Sequence, residues 1–142
     1  MSLVVDASVA FKWFVSDEPH AREAGNLLRT ESSLLAPDIL VAEVSNSAWR
    51  AVRLGRIQPQ HGIRIATALP DLFESLTGSA PLAPRAVAIA RELDHPVYDC
   101  LYLSLAEARQ TRLVTADARF LAKLIGTAWE ASTVSLANYP PP

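Results

Sequence analysis

The stretch His95–Phe120, "HPVYDCLYLSLAEARQTRLVTADARF", decides the reading of this chain. Pro96 suits the first position of a helix, "VYDCLYLSLAEA" is apolar round most of its circumference, and "RLVT" is a short run of strand-forming residues. A helix feeding a short buried strand is half of a parallel crossover unit. Asp99 stands in the first turn of that helix, and Asp117 follows the strand. A carboxylate beside a core costs free energy unless a hydrogen-bond donor, a basic side chain or a metal ion compensates it.

Outward from this unit the same grammar repeats. "SLVVD", ending at Asp6, reads as a buried strand, "ASVAFKWFV" as a helix, and residues 20–29 as a second helical stretch. "SSLLAP" is a strand stopped by Pro37, with Asp38 as the expected N-cap of a long helix that ends at Gly55. Residues 58–76 read as helical with a bend at Pro70, and "TGSAPLAP" as the clearest loop, its middle able to hold an edge strand. "RAVAIARELD" reads as a helix; after Asp117, "ARFLAKLIG" is a short helix and "STVSL" a last strand. Strands separated by helices define an α/β domain with a covered, mainly parallel sheet. It spans 1–137, and 138–142, "NYPPP" with Leu136 and Ala137 before it, is expected to be a flexible tail.

Size and composition set the outer limits. A chain of 142 residues, 50% hydrophobic and 20% charged, makes one domain with a core that needs no staples. The single cysteine, Cys100, excludes an internal disulfide framework and a cysteine zinc site, as expected in a reducing compartment. No apolar run is long enough to span a bilayer, and "MSLVVD" has no charged leader. The expectation is a soluble, cytoplasmic protein with no membrane partner. A formal net charge of -2 means that any polyanion must be held by local arginines or by a cation.

In open parallel sheets ligands bind beyond the carboxyl ends of the strands, which is where the acids fall. Asp6 ends the first strand, Asp117 follows the strand "RLVT", and Asp99 heads the preceding helix. Glu43 lies one turn into the long helix, in the otherwise apolar company of "DILVAEV". Each acid alone has an ordinary explanation as a cap or as a partner of the helix dipole. Capping does not require four acids to project toward one edge of one sheet, whereas a divalent metal site does. Mg²⁺ and Mn²⁺ take oxygen ligands, and such a cation would relieve the mutual repulsion of the carboxylates. Ser8, two residues after Asp6, and Thr115, two before Asp117, are candidates to orient the acids or a bound water.

Four pieces, "VVDASV", "PDILVAEVSNSAWR", "VYDCLYLSLAE" and "LVTADARF", resemble in this order the PIN domain family, and most of all the ribonuclease toxins of VapBC toxin-antitoxin pairs. The resemblance covers essentially the whole chain. It implies a three-layer α/β/α sandwich and a Mg²⁺- or Mn²⁺-dependent endoribonuclease. Asp6, Glu43, Asp99 and Asp117 would form the metal-binding catalytic cluster, with Asp6, Asp99 and Asp117 nearest the primary ion. It also implies a VapB-type antitoxin as partner, an RNA substrate and a homodimer. Where some members carry a further acid shortly after the fourth, this chain has Ala118 and Arg119, which leaves a second ion fewer protein ligands.

Lys12, Arg50, Arg53 and Arg119 are the candidates to steer RNA phosphates toward the acids, against a default reading of the basic residues as a solvated face. Cys100 with His95 is a weak nucleophile-base pair, because Cys100 sits among apolar neighbours and reads as packing. A haloacid-type phosphatase would need a second acid where Ser8 stands, and a receiver domain would need adjacent early acids. The surviving alternative is a non-catalytic PIN-like module that binds RNA or protein.

Overall fold

The computed structural model describes residues 1–140. Five strands form one parallel sheet: β1 (Ser2–Val5), β2 (Ser33–Pro37), β3 (Ser75–Thr77), β4 (Arg112–Thr115) and β5 (Thr133–Ser135). Their spatial order is β3-β2-β1-β4-β5, with Val4 level with Leu35 on one side and with Leu113 on the other. The three inner strands are continuous apolar runs because both of their faces are covered.

Among the described residues seven helices supply the cover: α1 (Ala7–Ala10), α2 (Ala21–Leu28), α3 (Ile39–Arg53), α4 (Pro59–Ala68), α5 (Ser79–Leu93), α6 (Val97–Ala108) and α7 (Ala118–Leu124). From β1 the chain steps outward through β2 to β3, then returns across the sheet to β4 and continues to β5. Right-handed crossovers in these two opposite directions place α1–α4 on one face and α5–α7 on the other. The result is the α/β/α sandwich, and the reversal falls between β1 and β4. A crevice must open there at the carboxyl edge, since the connections leaving the two strands part to opposite faces. α6 packs across β1, β2 and β4, and its Cys100, Leu101, Leu103 and Leu105 are buried.

Several local expectations change. The first helix is only α1, continued by a 3-10 turn over Phe11–Trp13. Asp38 does not cap α3 with its side chain; its own backbone is already helical, and its carboxylate accepts a hydrogen bond from Ser79 Oγ at 2.7 Å. The helix expected over residues 58–76 stops at Ala68, gives way to a 3-10 turn around Pro70, and is followed by β3, which pairs with β2. "TGSAPLAP" is no loop, because α5 starts at Ser79. Pro81 falls in its first turn, where the missing N–H costs nothing, and Pro84 is carried inside the helix. At the other end, Leu136–Asn138 form a 3-10 turn and Tyr139 packs against the core; 141 and 142 of the expected tail lie outside the described residues. Among the described residues no helix is long and apolar enough to cross a membrane.

Leu113, fully buried on β4 beside the crevice, tests the central packing. Leu113→Ala is expected to cost about 2–5 kcal/mol, read as a lower urea midpoint with unchanged slope.

Candidate functional site

Asp6 leaves the end of β1 straight into the crevice. Its backbone N–H reaches Val114 O on β4 at 3.3 Å, and its carboxylate caps α1 by accepting from Ser8 N at 3.0 Å. The Ser8 hydroxyl donates to the same carboxylate oxygen, Oδ1, while Thr115 Oγ1, at the end of β4, donates to Oδ2. Both hydroxyls also accept: Ser8 Oγ from Ala116 N at 3.0 Å, Thr115 Oγ1 from Asp117 N at 3.1 Å. Two strand-to-helix turns are thereby interlocked around one carboxylate. Ser8 and Thr115, expected to orient the acids or a bound water, each donate to one oxygen of Asp6.

The other three acids come from three further elements. Asp117 caps α7, its Oδ1 accepting from Arg119 N at 3.0 Å and Phe120 N at 3.1 Å. Asp99, in the first turn of α6, holds His95 Nε2 at 2.6 Å through Oδ2, and the imidazole lies against the Phe120 ring with centroids 4.9 Å apart. Glu43 on α3 accepts from Tyr102 Oη at 2.7 Å through Oε1. All four acids line one cavity of about 280 Å³, so capping and convergence both hold. One oxygen each of Asp99, Asp117 and Glu43 has no hydrogen-bond partner among the described residues.

This crowding has an electrostatic signature. Burial raises the Asp6 carboxyl to about 7; the Ser8 and Thr115 hydrogen bonds oppose the rise, and the charges of Asp99 and Asp117 add to it. Glu43 is also raised, by burial first, with Tyr102 opposing and Asp99 reinforcing. Among the described residues no group of three or more His, Cys, Asp or Glu side chains stands in metal-holding geometry. The oxygen set nevertheless suits a hard cation that keeps several of its waters and binds through one or two carboxylates, as Mg²⁺ does. It does not suit a closed cage of the kind zinc occupies.

Among the candidate cations the structure separates four cases. Arg50 lines the acid cavity, yet takes part in no ion pair of the described residues. Arg53 lies over the exposed Trp49 ring, 5.6 Å from its centroid, and does not line the cavity. Lys12 is largely covered and paired with Glu18 at 3.5 Å, so it is not a free surface cation. Arg119 is exposed and contributes its backbone N–H to Asp117. Cys100 is fully buried with its thiol pushed up to about 11 by burial, and His95 is engaged with Asp99, which removes the nucleophile-base pair.

Sequence reasoning missed Tyr102, Asn46 and Ser47, which also line the cavity, and the contact of His95 with Asp99. The signal was helical spacing. Asn46, Ser47 and Arg50 follow Glu43 at three, four and seven residues on α3, and Tyr102 follows Asp99 at three on α6, whereas His95 precedes that helix and carries no such signal.

Fold and site define a doubly wound parallel domain with a carboxylate-lined crevice at its switch point. The chain belongs to the PIN domain family, whose model matches residues 3–124. It is 34% identical over 121 residues to ribonuclease VapC1 of Mycobacterium tuberculosis, covering 84% of this chain and 88% of that one. It is 29% identical over 125 residues to ribonuclease VapC3 of Pyrobaculum aerophilum, covering 87% and 95%. In fold it is similar to the crystal structure of PAE2754 from Pyrobaculum aerophilum, with a TM-score of 0.71, 23% identity and coverage of 96% of this chain and 85% of that one. It is also similar to a toxin-antitoxin complex from Klebsiella pneumoniae, with a TM-score of 0.62, 18% identity and coverage of 95% and 98%.

The raised Asp6 carboxyl sets a pH dependence. Its folded value lies above the ordinary 3.8, so its contribution to stability is fully present below that value and is lost as pH rises through about 7. In metal-free buffer the urea midpoint is expected to fall between about pH 4 and pH 8, and Asp6→Asn to flatten that fall.

Proposed function

We propose that this chain is a Mg²⁺-dependent endoribonuclease, with Mn²⁺ as an effective substitute, acting as the toxin of a toxin-antitoxin pair. The observation that carries the reading is the convergence of Asp6, Glu43, Asp99 and Asp117, from separate elements, on one cavity at the switch point. The curated relatives named as ribonucleases, matched along most of their length, support the same activity. The unpartnered oxygens of Asp99, Asp117 and Glu43, together with Asp6, would hold the ion. When bound, Mg²⁺ supplies Lewis acidity, both to activate water and to stabilise charge on the departing oxygen of a phosphodiester.

The chain's own residues set up that chemistry. Ser8 and Thr115 fix Asp6 in one orientation with neutral donors, so its negative charge is not cancelled. Arg50 is the cation of the cavity and takes a phosphate of the RNA strand, bringing a polyanion to a centre that would otherwise repel it. Asn46 and Ser47 add neutral hydrogen-bonding groups between Glu43 and Arg50 on the same helix face. Arg119, exposed beside Asp117, and Arg53 and Lys12, engaged elsewhere, rank below Arg50 as RNA contacts.

The partner in this reading is a VapB-type antitoxin whose C-terminal segment covers the acid cavity. The structural neighbour that is a toxin-antitoxin complex supports it. A homodimer is the assembly proposed for the toxin itself.

Incubating the purified protein with a mixed RNA pool in Mg²⁺, Mn²⁺ or EDTA tests the activity. Cutting is expected with either metal and not in EDTA, with a loss on the order of 10²-fold or more in a folded Asp99→Asn variant. Metal-independent cutting, or none at all, contradicts the reading. In the Asp99→Asn background, Arg50→Ala is expected to weaken RNA binding and to lower the slope of log affinity against log salt by about 0.7, the value for one single-strand phosphate contact.

A further inference from the structure

Tyr102 is 1% exposed and sits on α6, one turn after Asp99. Its ring is part of the core, yet its hydroxyl reaches the acid cavity and donates to Glu43 Oε1 across the space between α6 and α3. A buried tyrosine needs some acceptor for its hydroxyl, and a backbone carbonyl would serve. Here the acceptor is the one acid of the cluster that lies within a helix beyond its first turn, with no turn of its own to hold it. Asp6 and Asp117 are fixed by the strand-to-helix turns they cap, and Asp99 by His95, which lies just before α6. Glu43 has a longer side chain and, among the described residues, this distant partner alone.

The chemistry of the donor is informative. An arginine or lysine would fix Glu43 equally well and cancel the charge a divalent cation requires. A phenol fixes it and leaves the charge in place. Burial first, and then the nearby Glu43 and Asp6, push the Tyr102 hydroxyl far above its ordinary pKa, so it stays a donor at every working pH. The carboxylate plane of Glu43 is thereby held with Oε1 engaged and Oε2 left over for a ligand.

We propose that Tyr102 is a positioning residue, whose hydroxyl orients Glu43 to bind the divalent cation. This rests on the metal-dependent reading of the acid cavity. The same hydroxyl also couples Glu43 on α3 to the helix that carries Asp99, so two acids from different layers keep a common register.

Mn²⁺ binding measured by calorimetry on wild type, Tyr102→Phe, Glu43→Gln and the double variant tests the proposal without any RNA. Tyr102→Phe keeps the ring and removes only the hydroxyl. It is expected to weaken Mn²⁺ binding about tenfold, and the double variant to bind no more weakly than Glu43→Gln. Activity of Tyr102→Phe is expected to return at saturating Mn²⁺, with KM for RNA unchanged. Unchanged Mn²⁺ affinity in Tyr102→Phe, or a tenfold loss that persists in the Glu43→Gln background, overturns the positioning role while the nuclease reading stands. A wild type that binds no Mn²⁺ overturns both. Wild type, Tyr102→Phe, Glu43→Ala and their double variant unfolded in urea with EDTA give a second cycle, in which Glu43→Ala removes the acceptor: coupling between the two positions is expected there too, and its absence overturns the hydrogen bond on which the proposal stands.

Discussion

Everything near the crevice is built around one buried carboxylate. Asp6 sits at the seam where the chain reverses direction across the sheet, and it is held from both sides of that seam, by Ser8 after β1 and by Thr115 at the end of β4. Thr115 is fully buried and in turn accepts from the backbone of Asp117, so the position of one acid sets the position of another. A buried carboxylate without such donors would be a severe cost to folding, and with them it remains raised to about 7. The fold tolerates this because the seam is the one place in a doubly wound sheet where the connections part and leave room for a ligand.

Most partners of the acids are neutral donors: Ser8, Thr115, Tyr102 and the N–H groups at the start of α7. His95 on Asp99 is the titratable exception, and among the described residues Arg50 lines the cavity without joining any of the carboxylates. Elsewhere in the molecule several acids are paired with arginine or lysine. Glu107 takes Arg85 in two hydrogen bonds, and Arg56 bridges Asp17 and Glu18. No lysine or arginine joins the four acids among the described residues, which conserves negative charge in the cavity at the expense of stability. On the proposed reading that charge is what draws the divalent ion.

The legibility of the sequence followed burial. "SLVV", "SLLAP" and "RLVT" declared themselves as strands because both of their faces are covered. Of the two short, half-exposed edge strands, "TVS" was legible within "STVSL", whereas "SLT" carries little apolar signal and merged into the preceding helical reading. The prolines of "SAPLAP" suggested a loop, although Pro81 lies where a helix has no use for an N–H. The four acids were legible because each falls at a strand end or near a helix start, positions that topology sends to one edge. The ranking of the cations was not, since Arg53 is set apart by a ring on its own helix and Lys12 by an ion pair. Tyr102 was hidden for a similar reason, as its acceptor lies 59 residues away in sequence.

Whether the acid cluster holds a divalent cation is read in the melting temperature at pH 7.5. Millimolar Mn²⁺ added to EDTA-treated protein should raise the melting temperature of the wild type by several degrees and leave an Asp99→Asn, Asp117→Asn double variant unmoved. An unchanged wild-type melting temperature, or an equal rise in the variant, would contradict the account.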